Sequence, residues 1–166
     1  ADVLDQSGVA VCASDEAVRE HTAGVHVLGA LQINIPPRTD AHPVSGDCTP
    51  LLEEPVQILS SAPHMHNLGI GFQTEIFRGG NPDMAEMLIE LDQWDFNAQG
   101  SYPTPTVVYP GDTFRTTCTY RNPSDEPVRR GERTEDEMCF NFISAYPMHQ
   151  LVSPGFGVDR GVCFDF

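Results

Sequence analysis

The chain contains no lysine. All nine of its basic residues are arginine, set against 24 aspartates and glutamates, for a formal net charge of −15 over 166 residues. A nucleic-acid groove needs clustered cations to displace counterions from phosphate, and this sequence has too few to build one. No apolar run approaches the roughly 20 residues that a membrane-crossing helix requires. The N-terminus does not open on a signal peptide either; Ala1-Asp2-Val3-Leu4 leads to the expectation of a processed chain, an isolated domain or a fragment. No Cys-x-x-Cys pair occurs among Cys12, Cys48, Cys118, Cys139 and Cys163, which argues against a zinc ribbon or a thioredoxin-type site. No Gly-x-Ser-x-Gly elbow supports a serine hydrolase, although Ser60 and Ser61 precede two histidines. Gly79-Gly80 and Gly155-Phe156-Gly157 lack the strand–loop–helix setting of a phosphate cradle.

What is present is a globular composition, 40% hydrophobic, of a length that suits one domain. Residues 1–166 are expected to form that domain, with 1–23 as a lead-in and 24–166 as its core. Fourteen glycines and fourteen prolines punctuate the chain too often for long helices. Between them lie short runs rich in Val, Ile, Thr, Phe and Tyr. Strands are expected over Val25–Ile35, Val56–Ser61, Leu68–Arg78, Thr106–Tyr109, Thr113–Tyr120 and Glu137–Ser144, with Pro63 as a kink and Pro110-Gly111-Asp112 as a turn. Met84–Leu91 fits helix and strand spacing equally, and only Asp15–His21 looks helical. The pattern predicts an all-β fold, an antiparallel β-sandwich or jelly roll with little helix.

Two features bear on chemistry. His64 and His66 stand two apart, so on an extended strand their imidazoles project from one face, which is half of a metal site; a solvent-facing polar edge would show the same pattern. Met138 precedes Cys139. If Cys139 is tied to Cys118, Met138 has a fixed position, and its thioether is a soft donor that with two histidines favours copper, above all Cu(I); ordinary core packing is the plain alternative. Acidic residues near Trp94 (Glu90, Asp92, Asp95) are expected by chance at this composition. His21, His26, His42 and His149 have no partner at ligand spacing. For the cysteines, two disulfides and one leftover is the simplest arithmetic and implies an oxidising compartment, periplasmic or extracellular, against the alternative of five reduced thiols. Four cysteines alone allow three pairings.

In order along the chain, these segments resemble the C-terminal domain of the copper type II, ascorbate-dependent monooxygenases. The resemblance rests on Gly24-Val25-His26-Val27-Leu28-Gly29, Ile35-Pro36-Pro37-Arg38 with Cys48-Thr49, His64-Met65-His66, Tyr109-Pro110-Gly111-Asp112 with Thr117-Cys118-Thr119-Tyr120, and Glu137-Met138-Cys139-Phe140-Asn141-Phe142 running to Tyr146-Pro147. It implies one copper per chain held by His64, His66 and Met138, and disulfides Cys118–Cys139 and Cys48–Cys163 with Cys12 unpaired. Family enzymes use a second, electron-transfer copper on a separate N-terminal domain. No other histidine pair of this chain matches its ligands, so the domain alone is expected to be catalytically incomplete and to need that domain or partner subunits. Peptide-hydroxylating members carry an arginine two residues before the first histidine and a tyrosine four after the methionine. Here those positions are Ala62 and Phe142, so a peptide carboxylate is not indicated and the substrate is left unassigned.

Three readings follow: the oxygen-activating part of a monooxygenase, a stand-alone copper carrier or electron relay, and a non-catalytic accessory subunit of a larger assembly. On the implied pairing, thiol titration of the unfolded, unreduced chain should count one free sulfhydryl, rising to five after reduction. A count of five before reduction contradicts it.

Overall fold

Alternation is strictest along Thr113–Asn122, where Phe114, Thr116, Cys118, Tyr120 and Asn122 are buried while the residues between them face outward. That period of two belongs to a strand with one face on a core. The computed structural model describes residues 7–13, 20–148 and 162–163; the helix expected over Asp15–His21 falls largely on residues 14–19, outside them.

Along the described chain run β1 (Gly24–Ala30), β2 (Asn34–Ile35), β3 (Thr39–Cys48), β4 (Val56–His64), β5 (Gly69–Phe77), β6 (Ala85–Leu91), β7 (Tyr102–Val108), β8 (Thr113–Asn122), β9 (Val128–Arg129), β10 (Cys139–Tyr146) and β11 (Val162–Cys163), with single 3₁₀ turns between some of them. A five-stranded sheet, in the order β11-β1-β10-β4-β7, packs on a four-stranded sheet, β3-β8-β5-β6, and β2 pairs with β9. Pairing is antiparallel throughout except β1 with β11. This is the expected all-β sandwich.

Several boundaries differ from the sequence reading. Val25–Ile35 is two elements, β1 and β2. The ambiguous Met84–Leu91 is a strand that follows a 3₁₀ turn. β3 was not anticipated; its sequence TDAHPVSGDC is polar and carries Pro43, which is tolerated because β3 is an edge strand. Pro63 makes no kink. β4 runs through it to His64, because pairing with β7 ends at Ser61 and β4 has a free edge beyond that point.

Two apolar clusters fill the space between the sheets, one around Leu28, Ile58, Phe114 and Ile143, the other around Met65, Phe72, Cys118, Tyr120 and Cys139. A buried polar belt separates them. The Asn141 amide donates to Thr74 Oγ1 at 3.1 Å and Ser61 Oγ at 3.4 Å, and the Thr74 and Thr116 hydroxyls pair at 3.1 Å. The three hydroxyls and the Asn141 NH2 satisfy one another, while the buried Asn141 Oδ1 has no hydrogen-bond partner among the described residues. One side of the sandwich is closed by the Cys48–Cys163 disulfide between β3 and β11, and the Cys118–Cys139 disulfide joins β8 to β10 across the layers. The opposite side is closed by Arg78, which donates to Val107 O at 2.8 Å, Asp112 Oδ2 at 2.7 Å and Glu86 Oε2 at 2.5 Å.

Burial alone would raise the Asp112 carboxyl pKa, but N–H groups of Tyr109 and Gly79 together with the Arg78 guanidinium hold it below the usual carboxylate value. Its charged form therefore stabilises the fold above pH about 4, and that contribution fades as pH falls through the lowered value. Asp112→Asn should cost roughly 3 kcal/mol at neutral pH by leaving Arg78 short of a partner, and should flatten the acid limb of the stability curve. Equal acid sensitivity in both proteins, measured by denaturant titration, would contradict this.

Candidate metal centre

Uninterrupted alternation from Val56 and Ile58, both buried, would carry Ala62 and His64 into the core. A bulge prevents it. Ile58 pairs with Ala145 and Ser60 with Ser144, leaving Leu59 as the extra residue. Beyond the bulge Ser61 and Pro63 point inward, while Ala62 and His64 face out. One extra residue thus re-aims the histidine, a role in which bulges recur near functional sites.

Past the end of β4 the chain turns with Met65 fully buried and His66 5% exposed. Trp94 covers this turn, its indole N–H donating to the His66 carbonyl at 3.1 Å. Gly69 has to be glycine, since a Cβ there would stand 2.8 Å from both Met65 Cε and Trp94 Cδ1.

The His64 and His66 rings lie 5.3 Å apart, edge to face. Each is anchored through Nδ1. His66 Nδ1 is 2.9 Å from the Asp136 carbonyl, which can only accept, so this nitrogen carries the proton. His64 Nδ1 is 2.7 Å from Gln99 Oε1, and the Gln99 amide is oriented by donating Nε2–H to Phe96 O at 2.9 Å. His64 Nδ1 is therefore the donor as well. Both rings keep Nε2 available with its lone pair, the arrangement in which imidazoles bind metals.

The backbone of Met138 is tied to the turn that carries His66 through Glu137. Phe140 pairs with His64 across β10 and β4, and alternation carried back along β10 puts Met138 on the face that holds Phe140 and Phe142. Glu137, wholly buried, links the two loops. Its Oε2 accepts from the N–H groups of His66 at 2.9 Å and Met138 at 3.3 Å, and its Oε1 from that of Leu68 at 2.7 Å. Burial pushes this carboxyl above the usual range, and the three N–H groups with His66 act against that rise. On the other side of Met138, the buried Tyr120 hydroxyl donates to its carbonyl at 2.8 Å. Burial, reinforced by the charge of Glu137, raises the phenol pKa, so Tyr120 stays a donor.

Around the pair runs a series of ring contacts: Phe96 to His66 at 6.0 Å, His64 to Phe142 at 6.1 Å and Phe142 to Phe140 at 6.3 Å, all edge to face. Ala62 and Phe142, the positions singled out in the sequence, are cross-strand partners. They form one uncharged wall beside His64.

Other residues considered in the sequence lie elsewhere. His26 is buried in β1, His42 is on β3, and His21 stacks on Tyr146 at 4.8 Å. Cys12 is exposed and outside the disulfides; His149 is not among the described residues. Among the described residues no three His, Cys, Asp or Glu side chains gather as a metal-binding group. Gln99 was not singled out in the sequence; a lone glutamine in a loop carries no periodic or motif signal. Glu137 and Tyr120 lie within the Glu137–Phe142 and Thr117–Tyr120 motifs, where sequence alone gives them no separate role.

Residues 21–162 match the sequence profile described as the copper type II ascorbate-dependent monooxygenase, C-terminal domain. Dopamine beta-hydroxylase from Canis lupus familiaris is 31% identical over 81% of this chain and 23% of its own length; the Homo sapiens protein of that name is 28% identical over 95% and 27%. Tyramine beta-hydroxylase from Caenorhabditis briggsae is 30% identical over 90% and 27%. The chain spans about a quarter of the length of the curated relatives it matches. Among solved structures, the infectious bursal disease virus VP2 subviral particle aligns with 87% of this chain and 35% of its own at 14% identity and a TM-score of 0.37, too low to carry an argument.

Trp94 is the single tryptophan and is bonded to the backbone of His66. Cu(II) added to the chain should therefore quench its emission saturably, and His66→Ala should abolish the saturable component. Emission that falls only linearly in both proteins would contradict a metal site at this histidine.

Proposed function

The chain belongs to the copper type II, ascorbate-dependent monooxygenase family, as its C-terminal domain, and from that premise we propose that His64, His66 and Met138 hold a single copper ion and that the chain is the oxygen-activating part of a C–H hydroxylase. The observation that carries the reading is the pair of Nε2 atoms left open because Asp136 O and Gln99 Oε1 take the Nδ1 protons. Two imidazoles and a thioether form a soft, low-coordinate donor set suited to copper and above all to Cu(I). When bound, the copper supplies the one-electron chemistry with dioxygen by which the family hydroxylates C–H bonds.

The protein's own residues act around that ion. Asp136 and Gln99 orient the rings and fix which nitrogen faces the metal. Phe96 and Phe142 shield the histidines from one side each, lowering the local dielectric. Ala62, Phe140 and Phe142 offer no cation to anchor a carboxylate, which supports a substrate other than a carboxylate-tethered peptide. The reading takes residues 24–166 as one sandwich domain with 1–23 leading into it. It also assigns electron delivery to a second copper domain or partner subunit, as in the family. Two disulfides support an oxidising compartment, extracellular or periplasmic.

Anaerobic loading with Cu(I) followed by desalting should leave one copper per chain, and His64→Ala should lose it. A wild-type chain that retains no copper would overturn the reading in favour of a fold kept for assembly.

A further inference from the structure

We infer that Tyr120 and Glu137 are positioning residues that pin the Met138 backbone from both sides and so hold its thioether against the histidine pair before any metal arrives. The inference rests on the proposed ligand set and adds to it how the third ligand is placed.

Met138 immediately precedes β10, where a strand would ordinarily fray. Here both of its peptide groups are fixed from buried positions. Its N–H lies 3.3 Å from Glu137 Oε2, an atom shared with the His66 N–H, and its carbonyl accepts from the Tyr120 hydroxyl at 2.8 Å. Tyr120 and Glu137 are each 0% exposed, so neither exchanges its partner for water. β8 contributes twice: Cys118 and Tyr120, two apart on its inner face, reach consecutive residues at the start of β10, Cys139 by a disulfide and Met138, just before the strand, by a hydrogen bond. The disulfide fixes the residue after Met138, Tyr120 fixes the carbonyl between them, and Glu137 fixes the amide in front. Because Oε2 is shared, Glu137 also sets Met138 in register with His66, whereas Tyr120 touches the Met138 side alone.

That difference makes the inference testable through the oxidation state of the metal. A thioether contributes to Cu(I) affinity far more than to Cu(II) affinity, which imidazoles dominate. Chelator competition against Cu(I), and separately against Cu(II), is measured on purified wild type, Tyr120→Phe, Met138→Leu, the Tyr120→Phe/Met138→Leu double variant and Glu137→Gln, with thermal melts of each metal-free protein. Tyr120→Phe should weaken Cu(I) binding about tenfold, the lower end of the usual effect of a residue that orients a ligand, and leave Cu(II) binding unchanged. The double variant should bind Cu(I) no more weakly than Met138→Leu, since both changes act through one ligand. Glu137→Gln should weaken both oxidation states.

Tyr120→Phe losses that are equal for Cu(I) and Cu(II), or that persist in the Met138→Leu background, overturn the inference and make Tyr120 a core residue only. Met138→Leu without effect on Cu(I) overturns the ligand set beneath it, and is read independently of Tyr120. The melts separate a general loss of stability from a selective loss of Cu(I), and Tyr120→Phe decides the matter even if Glu137→Gln does not fold.

Discussion

The candidate site depends on one buried carboxylate. Glu137 lies where two loops from different parts of the chain meet, and its oxygens accept N–H groups from His66, Leu68 and Met138. In an apolar interior each of those N–H groups would be costly if left unpaired, and so would the carboxylate. None can leave without stranding the others, so the turn carrying His66 and the turn carrying Met138 are held to a common origin. Removing the acid would leave three donors facing an apolar gap, a penalty far above that of a surface hydrogen bond.

Around that origin the sandwich acts as a rigid frame. The bulge at Leu59 turns His64 outward, the Cys118–Cys139 disulfide ties the start of β10 to the opposite sheet, and the polar belt through Asn141, Thr74 and Thr116 fixes the register of the layers. A donor set intended for a metal gains from this rigidity, because binding then costs little reorganisation. What varies is the wall beside it. Ala62 shares β4 with His64, and Phe140 and Phe142 lie on β10 just after Met138, so a change of wall residue alters what approaches the site without moving the site itself.

Much of this was legible in the sequence, and the reasons differ from residue to residue. The period-two pattern of Thr113–Tyr120 is strong because one face is fully buried, and the dense Gly and Pro punctuation ruled out long helices. His64-x-His66 and the Glu137-Met138-Cys139 block are local in sequence, so they could be seen. The disulfide partners came from family likeness, since spacing leaves the pairings open. What stayed hidden was non-local. The bulge at Leu59 exists only relative to the partner strand, and reading β4 by alternation alone would put His64 in the core. β3 looks like a loop because an edge strand tolerates Pro43 and buries few residues. Gln99 is far from the histidines along the chain, and nothing in its neighbours announces the contact. Tyr120 reads as one more inward residue of a strand until its hydroxyl is seen to end on Met138.

In the proposed site two imidazoles and one thioether, brought together by these constraints, meet a single ion. Copper K-edge X-ray absorption on the Cu(I)-loaded chain tests it most directly. The spectrum should show two imidazole nitrogens and one sulfur bound to copper, with the sulfur contribution gone in Met138→Leu. A shell of nitrogen and oxygen alone, or a sulfur signal that survives Met138→Leu, would contradict it.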